Sequence, residues 1–170
     1  MKQLALPLAL TVLIVLAGCG GAPSETTTTP PRDQTFEVRM NGDSSATYVV
    51  TARLVADPVE NVTVSYADGT NRSMALPDRQ GAVAYGPDSG ATAVEPRAES
   101  VGGVFFEGTP NFSVTDERVP ATGTLVWSVR ENGERVLVAW GLIRCDGHVG
   151  SLSLTTNESG VIETGFSCAS

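Results

Sequence analysis

The chain has little of what most catalytic sites are built from: one histidine (His148), one lysine (Lys2), three cysteines (Cys19, Cys145, Cys168) and 6% aromatic residues. Each scarcity removes a class of chemistry. A Ser/His/Asp triad would have to use His148, which "RCDGHVGS" places in a Gly-flanked turn, and no serine stands in a nucleophile-elbow context. With no lysine beyond position 2, Schiff-base and Ser/Lys chemistry are excluded from the body of the chain. A zinc hydrolase site needs two or three imidazoles, and a blue-copper site needs two plus a free thiolate. Cys145-x-x-His148 with Cys168 falls short of both, so no metal ligand, cofactor or catalytic residue is expected.

Positive charge is scarce as well. Lysine and arginine total 11 against 19 acids, a net charge of −8. A surface this negative repels phosphates, so nucleic acid is not an expected partner. The neighbouring acids Asp116 and Glu117 point to different faces of an extended segment and read as solvated surface, not an acid/base pair. "DGTN" at 68–71 is too short for a calcium loop of the EF-hand kind. Gly102-Gly103 follows no helix and marks a bend in a strand.

A long hydrophobic run is missing too. Leu4 to Ala17, interrupted by Pro7 and Thr11, falls short of the roughly 20 apolar residues that cross a bilayer. Preceded by Lys2, it reads as the apolar region of a signal peptide, residues 1–18. The run ends in Leu16-Ala17-Gly18-Cys19, which resembles the lipobox of prokaryotic lipoproteins. That resemblance implies cleavage before Cys19, lipidation of Cys19 and attachment to the cell membrane by lipid, facing the extracellular side. A diacyl modification holds a protein on a membrane where a single chain binds only marginally. Loss of Lys2 leaves ten arginines against nineteen acids, and such an acidic, lysine-free chain resembles proteins of halophilic archaea. A GC-rich genome favouring arginine codons gives the same composition.

Residues 19–34 comprise the lipidated cysteine and a Thr/Pro-rich tether whose "GGAPSETTTTPPRDQ" has almost no large apolar side chain to fold around. With Cys19 committed to lipid, Cys145 and Cys168 remain, an even number for an oxidising compartment, and a disulfide between them is expected. Four of the six asparagines, Asn61, Asn71, Asn111 and Asn157, lie in N-x-S/T sequons, which points to a glycosylated exterior.

Residues 35–170 show a period of 2 with dense turn signals. The expected fold is all-β, a single antiparallel β-sandwich of immunoglobulin-like or related Greek-key type. Strands are expected at 35–40, 47–55, 61–67, 73–76, 82–85, 101–107, 122–130, 135–144, 149–155 and 161–168, with one helical turn near 96–100. Asn132-Gly133 predicts a type I′ hairpin. Its register sets Val129 opposite Val136, Trp127 opposite Val138 and Leu125 opposite Trp140, placing both tryptophans in the core on one face. A slip by one residue would pair Arg130 with Glu134 but mix the apolar face. A second hairpin, looping over 68–72, sets Tyr66 against Met74 and Val64 against Leu76.

The expected function is a membrane-anchored, non-catalytic β-sandwich for binding or envelope structure, with an envelope protein or glycan as partner. It resembles small lipoproteins of archaeal and bacterial envelopes. The alternative is an accessory or capture subunit of a transporter, or a carboxylate-dependent hydrolase. An exposed apolar groove near Phe105, Phe106 and Phe112 would favour partner binding.

Overall fold

Alternating apolar residues settle as strands where a face can be buried, and this chain buries the two faces of one sheet. The computed structural model describes residues 33–56, 59–157 and 160–170. The signal peptide, Cys19 and the tether to residue 32 lie outside the described residues. Residues 33 and 34, expected in the tether, already belong to the first strand.

The strands are β1 (Asp33–Gly42), β2 (Tyr48–Val55), β3 (Asn61–Tyr66), β4 (Asn71–Ala75), β5 (Gly81–Tyr85) and β6 (Ala91–Pro96). They continue as β7 (Ser100–Gly108), β8 (Phe112–Pro120), β9 (Thr124–Glu131), β10 (Leu137–Arg144), β11 (His148–Thr156) and β12 (Ile162–Ala169). They form an outer sheet β12-β11-β1-β8, a central sheet β5-β10-β9-β2-β7 and a small sheet β4-β3-β6. The all-β expectation holds and the pairing is mostly antiparallel. β1 and β11, however, run parallel, and the strands divide into three sheets.

Two separate cores explain the division. Phe36, Val38, Met40, Leu152 and Leu154 of the outer sheet pack against Val50, Leu54, Leu125, Trp127 and Ile143 of the central one. On the opposite face, Val126, Leu137, Trp140 and Leu142 of the central sheet pack against Val62, Val64 and Val94 of the small sheet. Each large side chain buried this way stabilises the fold by roughly 1.5–3 kcal/mol before chain entropy is counted.

Both tryptophans are core, each 1% exposed, but they lie in different cores. The β9–β10 register differs from expectation: Trp127 faces Gly141, Trp140 faces Ser128 and Leu125 faces Ile143, with a bulge between Leu137 and Ala139. The turn causes this. Asn132 donates its N–H to the Thr47 carbonyl at 2.8 Å and its side-chain amide to Glu107 at 2.7 Å. Only Gly133 takes a positive φ (89°), and the Glu134 N–H bonds the Glu131 carbonyl at 3.0 Å, the pattern of a type II turn.

The second hairpin is tighter than expected. Asp68 accepts hydrogen bonds from the Thr70 N–H (2.9 Å) and hydroxyl (2.7 Å), closing the loop early. Met74 therefore faces Val62, and Arg72 faces Val64. Two strands were not expected at all, β6 and β8. The helical turn expected at 96–100 is absent, and a 3-10 turn forms instead at Pro87–Ser89.

Candidate functional site

Three strands cannot cover five. β6 lies over β9 and β10, and beyond it no strand among the described residues covers the second face of β2 and β7. That face carries the odd-numbered residues of β2, Val49, Thr51 and Arg53. Arg130 of β9 pairs with Val49, and Ser128 and Phe105 flank Thr51. With residues 92–95 of β6 they enclose a groove of about 210 Å³. Phe105 is 68% exposed, the most exposed large hydrophobic residue among those described. A second depression of about 470 Å³ adjoins it, sharing Thr92 and Arg130 and adding Tyr66, Arg135 and Val136.

The electrostatics of this cleft run against the rest of the molecule. Arg53, Arg130 and Arg135 line it, and among the described residues the only ion pair is Arg39–Glu37, 2.8 Å, on the outer sheet. Glu95 stands at the rim, and Glu107, on the same face of β7, accepts the Asn132 amide. The carboxylates with shifted pKa values lie elsewhere. Glu37 is held below its usual range by the Arg39 guanidinium and then by the Ser113 hydroxyl. Asp68 is lowered by the Thr70 hydroxyl and then by the Thr70 backbone N–H. The cleft itself gathers guanidiniums, which bind carboxylates in a two-pronged geometry, beside an aromatic face.

Compared with protein families, curated proteins and solved structures, the chain matches none. What the site does has to follow from its own geometry.

Among the residues singled out from sequence, Cys145 and Cys168 form a disulfide with Cα atoms 5.6 Å apart, tying the end of β10 to β12 and so the central sheet to the outer one. Cys19 lies outside the described residues. His148 opens β11, half-buried, and among the described residues no group of three or more His, Cys, Asp or Glu side chains converges. No helix among them is long and apolar enough to cross a membrane. Asp116 and Glu117 sit on β8, half-buried and exposed respectively, away from the cleft. Gly102 and Gly103 lie within β7 against β2.

The four sequons differ. Asn71 is exposed at the start of β4. Asn157 is exposed, and its Oδ1 accepts the Val161 N–H at 3.1 Å. Asn111 adopts φ 75° and its amide donates to the Gly42 carbonyl at 3.0 Å. Asn61, counted among the sequons of an expected glycosylated exterior, is half-buried, with its Oδ1 enclosed and without a hydrogen-bond partner among the described residues.

The three phenylalanines do not share a groove. Phe106 stacks on Phe112 with centroids 3.5 Å apart on the outer-sheet side, whereas Phe105 projects from the other face of β7. Arg53, Arg130 and residues 92–95 were not singled out from sequence. The available signal was Arg53 in the strand "YVVTARLV", a charge on the face opposite Val50, Ala52 and Leu54.

Proposed function

We propose that the chain is a membrane-anchored extracytoplasmic lipoprotein whose β domain works by binding a ligand in the cleft beside β6, without catalysis. The observation that carries the binding half is the exposed Phe105 at a cleft lined by arginines that have no ion pair among the described residues. An aromatic ring offers a large face for packing, and beside a concave surface lined by charged groups it supports an interaction site. The Leu16-Ala17-Gly18-Cys19 sequence supports the anchor, and the disulfide suits an oxidising compartment. The outer and central sheets, sharing one core, fit a sandwich of immunoglobulin-like or related Greek-key type, to which the small sheet adds a layer.

Function as a transporter's capture subunit would use the same cleft and differ only in where the ligand goes next. The hydrolase alternative is less favoured, because the cleft brings no pair of acids together.

Intact mass spectrometry of the natively expressed membrane fraction, with and without reductant, tests the anchor. The expected species starts at Cys19, carries diacyl lipid, gains two hydrogens on reduction and carries glycan on the Asn71 peptide. A soluble, unlipidated chain with free thiols refutes it.

A further inference from the structure

Among the described residues β6 is paired on one side only, with β3, and the backbone donors and acceptors along its other edge have no ladder partner. That edge runs beside the uncovered floor of the central sheet. We infer that the cleft is a strand-addition site: it takes an extended, carboxylate-bearing peptide segment of a partner protein, which pairs with β6 and sets its acids on Arg53 and Arg130. The assignment rests on the binding role proposed above and names its ligand.

Three features converge on this occupant. An unpaired edge recognises backbone, and peptide backbone in extended form offers the matching donors and acceptors. One added strand, about 4.8 Å from β6, continues the small sheet over the β2 face that it leaves bare. Charge then selects the side chains. Arg53 faces Val126 across the β2–β9 pair and Arg130 faces Val49, so the two arginines stand four positions apart, roughly 13 Å at strand rise. Acids at positions i and i+4 of a strand share one face at that spacing, with an apolar residue at i+2 to meet Thr51 and Phe105.

Glu95 lines the same cleft and disfavours a ligand rich in acids throughout, which favours two spaced carboxylates over a polyanion. Pro96 ends the edge and limits pairing to about four residues. A second copy offering its own β6 edge about a two-fold axis would bring two sets of unpaired arginines together, so charge favours a different chain as partner.

The test uses the full lipoprotein in detergent and fluorescence anisotropy of a nine-residue peptide with glutamate at positions 3 and 7, leucine at 5 and threonine elsewhere. Saturable binding is expected. It weakens about tenfold in each of R53Q and R130Q, consistent with loss of one charge-assisted contact. F105A, at an exposed position outside both core clusters, weakens it as well. Alternate N-methylation in one of the two phases abolishes binding, and lysine in place of glutamate does the same. Equal binding of both N-methylated peptides overturns strand pairing. Binding of oligogalacturonate in place of the peptide makes the cleft an acidic-sugar site, which overturns this ligand and leaves the binding role intact. Concentration-dependent self-association that F105A abolishes assigns the edge to a second copy and overturns the proposal. No saturable binding of any probe at millimolar concentration overturns the ligand and the cleft's binding role together, whereas the membrane-fraction mass reports on the anchor alone.

Discussion

Replacing Gly141 with alanine puts one methyl group where two elements already meet. A Cβ at that position would lie 2.4 Å from the Val83 carbonyl oxygen of β5 and 2.7 and 2.8 Å from two ring atoms of Trp127. Ordinary contacts of carbon with carbon are about 3.5–4.0 Å, so the indole and the β5 backbone would both have to retreat. Trp127 has nowhere to go, being 1% exposed in the larger core. Overpacking of this kind costs about 1–3 kcal/mol, and a backbone atom among the obstacles puts Gly141→Ala at the upper end. The gain from replacing a strand glycine, about 0.5–1 kcal/mol, offsets part of it. The expected net loss is about 2 kcal/mol, or roughly 7 °C in Tm for a domain of about 140 residues. Gly165→Ala is the control, since its Cβ would meet only the Ser153 Cβ at 3.7 Å on an edge strand. Urea unfolding followed by tryptophan emission measures both. Equal midpoints for the two variants would refute the packing argument.

Cys145→Ser/Cys168→Ser opens a loop of sequence separation 23 and is expected to cost about 3 kcal/mol, read as a lower urea midpoint that reductant no longer shifts. Trp140→Phe is expected to cost about 1 kcal/mol more than Trp127→Phe. The Trp140 indole donates to the Ser89 hydroxyl at 3.1 Å and stacks on Tyr85 at 4.2 Å, whereas the buried Trp127 N–H has no partner to lose. The same unfolding assay decides the order. Glu37 titrates below the usual carboxylate range because Arg39, and after it Ser113, hydrogen-bonds the charged form. A depressed carboxylate contributes its stability above the unfolded pKa and loses it as pH falls through the folded one. In an NMR titration Arg39→Ala is expected to move the Glu37 midpoint upward, and an unmoved midpoint would dismiss the pairing.

β2, with one buried face and a clear alternation, was legible in place and faces, whereas β9 and β10, buried on both faces, were legible in place but not in register. In β2 the apolar positions Val50, Ala52 and Leu54 alternate with Thr51 and Arg53, so its place and its faces follow from the pattern. In β9 and β10 nearly every position is buried, and alternation no longer says which residues look the same way. Turn chemistry then had to set the register, and Asn132 was already engaged by Thr47 and Glu107, residues remote in sequence. β8 carries Asp116, Glu117 and Arg118 because it is an edge, and edge strands take charges that resemble loop composition. β6, "ATAVEP", offers two alanines and a proline, and only its pairing with β3 makes it a strand. The cleft was hidden for the same reason. Arg53, Phe105 and Arg130 meet through strand pairing across long stretches of chain, and no local spacing records such a meeting.

The parallel pairing of β1 with β11 has a mechanical consequence. Among the described residues β1 is the first strand and an interior one, paired along Asp33–Met40 with β8 and along Glu37–Gly42 with β11. A pull arriving through the residues before Asp33 acts along the axis of β1. With the rest of the domain held from a site on the central sheet, that pull shears two ladders at once and cannot peel one bond at a time. Traction between a membrane and a bound partner would be borne first by the strand best clamped to resist it, leaving the Arg53–Arg130 cleft on a sheet that need not deform.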